Sequence, residues 1–153
     1  MKLGKKALKS PRRAVIFCGS RHWKDKKAIE RGFDKFQPDL VLAGGQKGAD
    51  TLSLNVCQER NIQFKLFEAD WNQFGRAAGP FRNEEMLNHL LALKDQGWKI
   101  SVVGYPHPEG RGTQNMIFQS LLKNVPSFTY RTVLKFDGMV EGEKAQWQSK
   151  RFD

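Results

Sequence analysis

A chain of 153 residues with 39% hydrophobic and 27% charged residues is the size of one domain and long enough to bury a core without disulfides. No apolar run approaches the ~20 residues of a membrane-spanning helix. The basic start MKLGKKALKSPRR is followed only by AVIFC, too short for a signal-peptide core and without a small-residue cleavage site, so a soluble, cytoplasmic protein with no membrane partner is expected.

The net charge of +10 suggests nucleic acid until it is located: residues 1–13 hold six Lys/Arg and no acid, whereas residues 14–130 hold 15 basic against 12 acidic groups. A charged arm with no aromatic residue to stack on a base reads first as a solubilising tail. A weak, salt-dependent contact with nucleic acid is the alternative. Cys18 and Cys57 are isolated thiols in apolar contexts, which predicts buried structural cysteines, no disulfide framework and no metal site. No cofactor is expected.

In chain order, Ala14–Cys18 (AVIFC) is a continuous apolar run, as expected for a strand buried on both faces. Asp25 is a candidate N-cap for a helix to about Phe36, with Ala28, Ile29, Gly32, Phe33 and Phe36 on one stripe. Asp39–Ala43 predicts a second strand, Gly48 to about Arg60 a helix, and the alternation of Ile62–Phe67 a third strand. Asp70–Pro80 reads as a polar connection, and a helix is predicted from about Phe81 to Asp95 with Gly97 as its stop. Trp98–Tyr105, Gly112–Lys123 and Ser127–Arg131 read as strand, helix and short strand. The pattern predicts a single Rossmann-like three-layer α/β domain over residues 14–131, with a mainly parallel sheet of about five strands. It is flanked by the flexible basic arm 1–13 and a polar C-terminal extension 132–153.

The informative feature is where the unusual residues fall. The strands end in Gly19-Ser20-Arg21, in Gly44-Gly45-Gln46-Lys47-Gly48-Ala49-Asp50, in Asp70-Trp71 followed by Arg82-Asn83, and in the Glu109–Thr113 stretch. In a parallel sheet all four connections share the carboxyl rim, where open α/β folds bind ligands. Gly44, Gly45 and Gly48 permit close backbone approach before a helix whose free N–H groups favour an anion. Gly110, Arg111, Gly112 and Thr113 repeat that arrangement and add a cation and a hydroxyl. Ser20 supplies another hydroxyl, Arg82 a fork for phosphate or carboxylate, and Asn83 a donor to a ribose or base edge.

Each signal has a blander reading. A lone GGxxG is more often an ordinary strand-to-helix turn, Trp71 more often a packing residue than a stacking platform, and Asp50 and Glu85 more often helix-start charges. His22 and His107 sit on rim loops, where exposed histidines are common, and His89 lies mid-helix. The case rests on four clusters at one rim.

The order GSR-x-W-x-D (Gly19–Asp25), GGxxGAD (Gly44–Asp50), ADW (Ala69–Trp71), AGPxRNxxM (Ala78–Met86) and GRGTxNM (Gly110–Met116) resembles the YspA-like, cpYpsA-related branch of the SLOG superfamily, from about residue 14 to residue 130. The resemblance implies a Rossmann-like sheet and a pocket for nucleotides or nucleotide-derived ligands. It points to ligand sensors in bacterial and phage conflict systems, and to a homodimer or higher homo-oligomer, since LOG-like relatives commonly pair. In LOG enzymes a PGGxGTxxE motif ends in a glutamate that acts in glycosidic cleavage. Met116 stands at that position here, and a thioether cannot take a proton.

The leading expectation is therefore a binding protein, with Gly19, Ser20, Arg21, Gly44, Gly45, Gly48, Asp50, Trp71, Arg82, Asn83, Gly110, Arg111, Gly112 and Thr113 as ligand contacts. The alternative is a nucleotide N-glycosidase of phosphoribohydrolase type in which Asp50, Asp70 or Glu85 replaces the missing carboxylate. A third reading is single-stranded nucleic-acid binding in the manner of DprA, carried by the arm and the rim arginines.

Overall fold

Apolar runs as short as VIF and LVLA cannot satisfy their backbone groups alone, and in the computed structural model, which describes residues 10–107, 112–130 and 150–152, they become the centre of one sheet. The strands are β1 (Arg13–Gly19), β2 (Leu40–Gly44), β3 (Gln63–Phe67), β4 (Lys99–Tyr105), β5 (Ser127–Tyr130) and β6 (Lys150–Phe152). Their order is β3-β2-β1-β4-β5-β6 and every pairing is parallel. This is the doubly wound order, with its switch point between β1 and β4. In the β1–β4 register Gly19 lies opposite Tyr105, which brings the carboxyl ends of the two central strands level.

Among the described residues five helices flank the sheet: α1 (Lys26–Phe36), α2 (Ala49–Arg60), α3 (Trp71–Phe74), α4 (Ala78–Asp95) and α5 (Gly112–Leu122). Asp25 caps α1 as its sequence predicts, its Oδ1 accepting from Ala28 N at 3.2 Å. One apolar layer joins Phe17, Val41 and Val103 to Ile29 and Phe33 of α1 and Val56 and Cys57 of α2. The opposite layer joins Ile16, Leu42 and Val102 to Met86, Leu87 and Leu90 of α4 and Met116 and Ile117 of α5. Fully burying each such side chain stabilises the fold by about 1.5–3 kcal/mol.

Two expectations are corrected and one is met. Asp70–Pro80 is not an open connection: Asp70 Oδ1 accepts from Gln73 N at 3.1 Å and starts α3, a 3₁₀ turn (Gly75–Ala77) follows, and α4 begins at Ala78. Pro80 then falls on the third residue of α4, where its missing N–H would have had no helical partner anyway. The expected mainly parallel sheet of about five strands is borne out, with six described strands. The sixth comes from the polar extension because Phe152, 3% exposed, inserts its ring against Phe36, Tyr105 and Tyr130. Finally β3, at the sheet edge, leaves Gln63 to Leu66 exposed and buries only Phe67.

Candidate functional site

The rim is built by two interlocked loops. The Ser20 carbonyl accepts from Trp23 N and from Ala49 N, the first residue of α2, both at 3.1 Å, and Ser20 N donates to Tyr105 O at 2.9 Å. Gly48 caps α2 at φ +82°, and a β-carbon there would collide with the Ser20–Arg21 backbone, 2.5 Å from Arg21 C. Gly19 is pressed in the same way against Ala49 and Tyr105. These two glycines therefore key the β1 loop to the β2 loop, and the Ser20 hydroxyl is taken by His22 N at 3.0 Å.

Gly44 has a different neighbour. A β-carbon on it would stand 2.8 Å from Arg82 Cζ and 2.8 Å from Asp50 Oδ2. Because α4 starts at Ala78, Arg82 lies one turn into the helix rather than at its first residues. The side chain is 8% exposed, and its Nε donates to Asn83 Oδ1 at 3.0 Å. Asn83 Nδ2 donates to Asn115 Oδ1 at 3.0 Å, and Gln119 Nε2 donates to the same oxygen at 2.7 Å, which ties α4 to α5. Nη1 and Nη2 of Arg82 have no acceptor among the described residues. The guanidinium sits against Gly44 beside Asp50, and Arg82 also contributes to the wall of an adjacent cleft.

That cleft has a volume of about 320 Å³, and its walls include Arg82, the carboxylates Glu68, Asp70 and Glu85, and the rings of Phe74 and Phe81. Glu68 lies over Gly45, its Cγ 3.6 Å from where that residue's β-carbon would be. Behind Arg82, Asp50 is 4% exposed and accepts only a long 3.4 Å bond from Gln46 N. Burial pushes its carboxyl up to about 7, against the opposing pull of Arg82 and that backbone bond. The neighbouring Cys18 thiol is held strongly protonated by burial and by Asp50. On α5, Thr113 is 3% exposed and its Oγ1 is the described buried side-chain atom with no hydrogen-bond partner.

The structure thus gathers Gly44, Asp50, Arg82 and Asn83, and sets Asp70 and Glu85 on the wall that Arg82 shares. Gly45 borders that wall. Gly19, Ser20 and Gly48 serve the loop interlock, Arg21 is exposed, and Gly112 opens α5. Trp71, 50% exposed, packs an edge near Gly79 instead of lining the cleft. Gly110 and Arg111 lie outside the described residues. His22 and His107 meet at the β1–β4 switch point with ring centroids 5.8 Å apart. Met116, 1% exposed, is part of the apolar layer, so the position of the LOG glutamate faces core and not cleft.

Sequence reasoning missed Glu68 and Asn115 as site residues. Glu68 directly follows the third strand, where the same rim argument would have found it. Asn115 lies within the GRGTxNM motif, and only its contact with Asn83 gives it a place here. Among the described residues no group of three His, Cys, Asp or Glu side chains is arranged to hold a metal ion.

A doubly wound sheet of this order defines a Rossmann-like domain, here with a buried arginine at its carboxyl rim. More specifically, the model of the YspA, cpYpsA-related SLOG family (YAcAr) matches residues 13–74, and the chain belongs to that family. It is 34% identical to the gene 61 protein of Mycobacterium phage D29 over 88 residues, 49% of this chain and 68% of that protein. Its fold is similar to that of DNA processing protein A (DprA) from Streptococcus pneumoniae. The TM-score is 0.59 at 14% identity over 93% of this chain, and the chain spans 58% of the length of that one. MurG of Acinetobacter baumannii is a more distant likeness, with a TM-score of 0.45 at 14% identity, over 78% of this chain and 35% of that one.

Proposed function

We propose that this protein binds a nucleotide or nucleotide-derived phosphate ligand at the carboxyl rim, as a sensor or a sequestering protein in the cytoplasm of a bacterium or of a phage-infected cell. One observation carries the reading: Arg82, almost wholly buried and with no hydrogen-bond acceptor for its two terminal nitrogens among the described residues, lines a cleft of about 320 Å³. A buried guanidinium is retained where an anion completes it, and its planar fork matches a phosphate. The partnerless Thr113 hydroxyl, two residues before Asn115 on α5, offers a further donor. Calorimetric titration of the intact chain with nucleoside monophosphates is expected to show binding that Arg82→Gln weakens at least tenfold, with the ligand recovered unchanged. Equal affinity of wild type and variant would refute the assignment.

A second reading, nucleotide N-glycosidase activity, draws on Asp70 and Glu85 standing on the wall that Arg82 shares. It requires released base on incubation, and its loss in Asp70→Asn or Glu85→Gln.

A further inference from the structure

We infer that a cleft at the amino-terminal end of the sheet, opposite the rim described above, binds single-stranded nucleic acid, its cations taking the phosphates and two phenylalanine rings a base. The cleft has a volume of about 360 Å³, within the ~300–1,000 Å³ of sites that hold a small ligand. It opens where α1 ends and β1, β4 and β5 begin. Arg13 of β1, Lys35 of α1 and Lys99 of β4 stand on its walls, with no carboxylate among the lining residues. Arg13 and Gly19 are the two ends of β1, about 20 Å apart, so this cleft and the carboxyl rim are separate places.

A single cation at a helix end is ordinary, because the last carbonyls of the helix attract it. Arg13 fits that account in part, its Nη1 donating to Phe36 O in a long bond of 3.5 Å. The other two cations do not. Among the described residues no carboxylate pairs with Arg13, Lys35 or Lys99. Asp39, at the same end of the sheet, accepts from the backbone of Arg13 at 2.8 Å, and Asp34 is taken by Arg60. The unbalanced charge continues into the chain that enters here. Lys99 N donates to Arg12 O and Asp39 N to Arg13 O, both at 2.8 Å, which anchors the end of the basic arm beside the cleft. Arg12 lies over the Trp98 ring, 5.3 Å from its centroid, and residues 1–13 hold six Lys/Arg and no acid.

Burial grades inward from charge to ring. Lys35 and Lys99 are exposed, Phe36 and Phe128 half-buried, and Val15 and Ile100 behind them buried. The Phe36 and Phe128 rings meet with centroids 4.9 Å apart, tilted by 53°, and make an aromatic floor. Cations that follow phosphates beside aromatic faces that stack bases are the means by which single strands are held without regard to sequence. A duplex keeps its base faces stacked inside, and a flat bilayer does not reach rings set below two lysines. An acidic side chain satisfies the cations and brings no ring to the floor. The combination therefore favours a single strand over each of these.

The test is fluorescence anisotropy of the full chain with labelled oligo(dT), oligo(rU), an abasic strand and a duplex, each of about 12 nucleotides, from about 50 to about 200 mM salt. It is repeated on the Lys35→Gln/Lys99→Gln double variant; both lysines are exposed, and a thermal melt checks that the variant folds. At least one of oligo(dT) and oligo(rU) is expected to bind at least about fivefold more tightly than the abasic strand and the duplex. The tighter of the two identifies the strand as DNA or RNA. The double variant is expected to weaken that binding at least about fivefold at the lower salt. It is also expected to lower the slope of log affinity against log salt by about 1.4, the loss of two phosphate contacts. The charge-matched Lys24→Gln/Lys47→Gln variant, on the carboxyl-rim loops, is expected to keep both the affinity and the slope. An equal loss in the two double variants, or an unchanged slope in Lys35→Gln/Lys99→Gln, would overturn the assignment to this cleft. An abasic strand bound as tightly as both base-bearing ones would overturn the role of the rings and with it the single-strand inference. A preference for duplex, or binding of phosphatidylglycerol vesicles or polyglutamate where neither single strand binds, would overturn it as well.

Discussion

The guanidinium of Arg82 and the carboxyl of Asp50 flank the α-carbon of Gly44, and no ion pair closes between them. The only residue that fits between the two groups is one without a side chain. Gly44→Ala should therefore push the guanidinium, the far end of a flexible side chain, out of its seat. Ligand affinity is expected to fall at least tenfold in calorimetry, with stability reduced by only about 1–2 kcal/mol. Gly48→Ala should behave in the opposite sense. Its φ of +82° and the Ser20–Arg21 backbone against it cannot give way, so the expected loss in urea denaturation is about 2–4 kcal/mol.

Thr113→Val separates a binding role from a structural one. The hydroxyl lacks a partner while buried, so replacing it with a methyl of similar shape removes a desolvation cost. The unliganded variant is expected to gain about 1 kcal/mol in chemical denaturation and to bind nucleoside monophosphates more weakly. Lower stability together with unchanged affinity would show that the hydroxyl serves the fold alone.

Asp50 gives the fold a pH dependence of a definite sign. Burial raises its carboxyl from 3.8 to about 7, so between those values the folded chain holds a proton that the unfolded chain has released. Stability contributed by this group is complete below pH ~4, falls as pH rises towards ~7, and is level above that. Arg82, Gln46 N and the Cys18 thiol are the groups acting on it or acted on by it. Asp50→Asn should flatten that slope, becoming relatively more stable than the parent at pH 8 by a margin on the order of a few kcal/mol. Urea midpoints measured from pH 4 to pH 8 would check it.

Met116→Glu restores the residue type of the LOG motif, but to a position 1% exposed within an apolar layer. The expected result is a loss of at least about 3 kcal/mol and no release of base from nucleoside monophosphates, because an unpaired carboxylate there faces Ile117 and Val125 and not the cleft. Chromatography after incubation and a thermal melt would read the two halves separately.

How legible this was in the sequence depended on whether the signal was local. The central strands announce themselves because AVIFC and DLVLA are apolar without alternation, as burial on both faces requires. The cap at Asp25 follows from its distance to the apolar stripe. The start of α4 was misplaced because Gly79-Pro80 looks like punctuation, although a proline in a first turn breaks no hydrogen bond. The strand Lys150–Phe152 was hidden because its burial comes from Tyr105, Tyr130 and Phe36, all remote along the chain. Within the site, the pairing of Gly44 with Arg82 joins residues 38 positions apart, and no spacing rule reaches that far. The rim as a region was readable. The division of its glycines between loop interlock and arginine seat was not.

The interlock has a kinetic consequence. Because Ala49 N is already bonded to Ser20 O and Gly48 is locked against the Ser20–Arg21 backbone, these two loops need no rearrangement to receive a guest. The entropic cost of association then falls mainly on the incoming molecule and on Arg82 itself, and the receptor is set before the encounter. Capture at such a surface is expected to run close to the encounter rate, with differences between ligands expressed in how long each one stays.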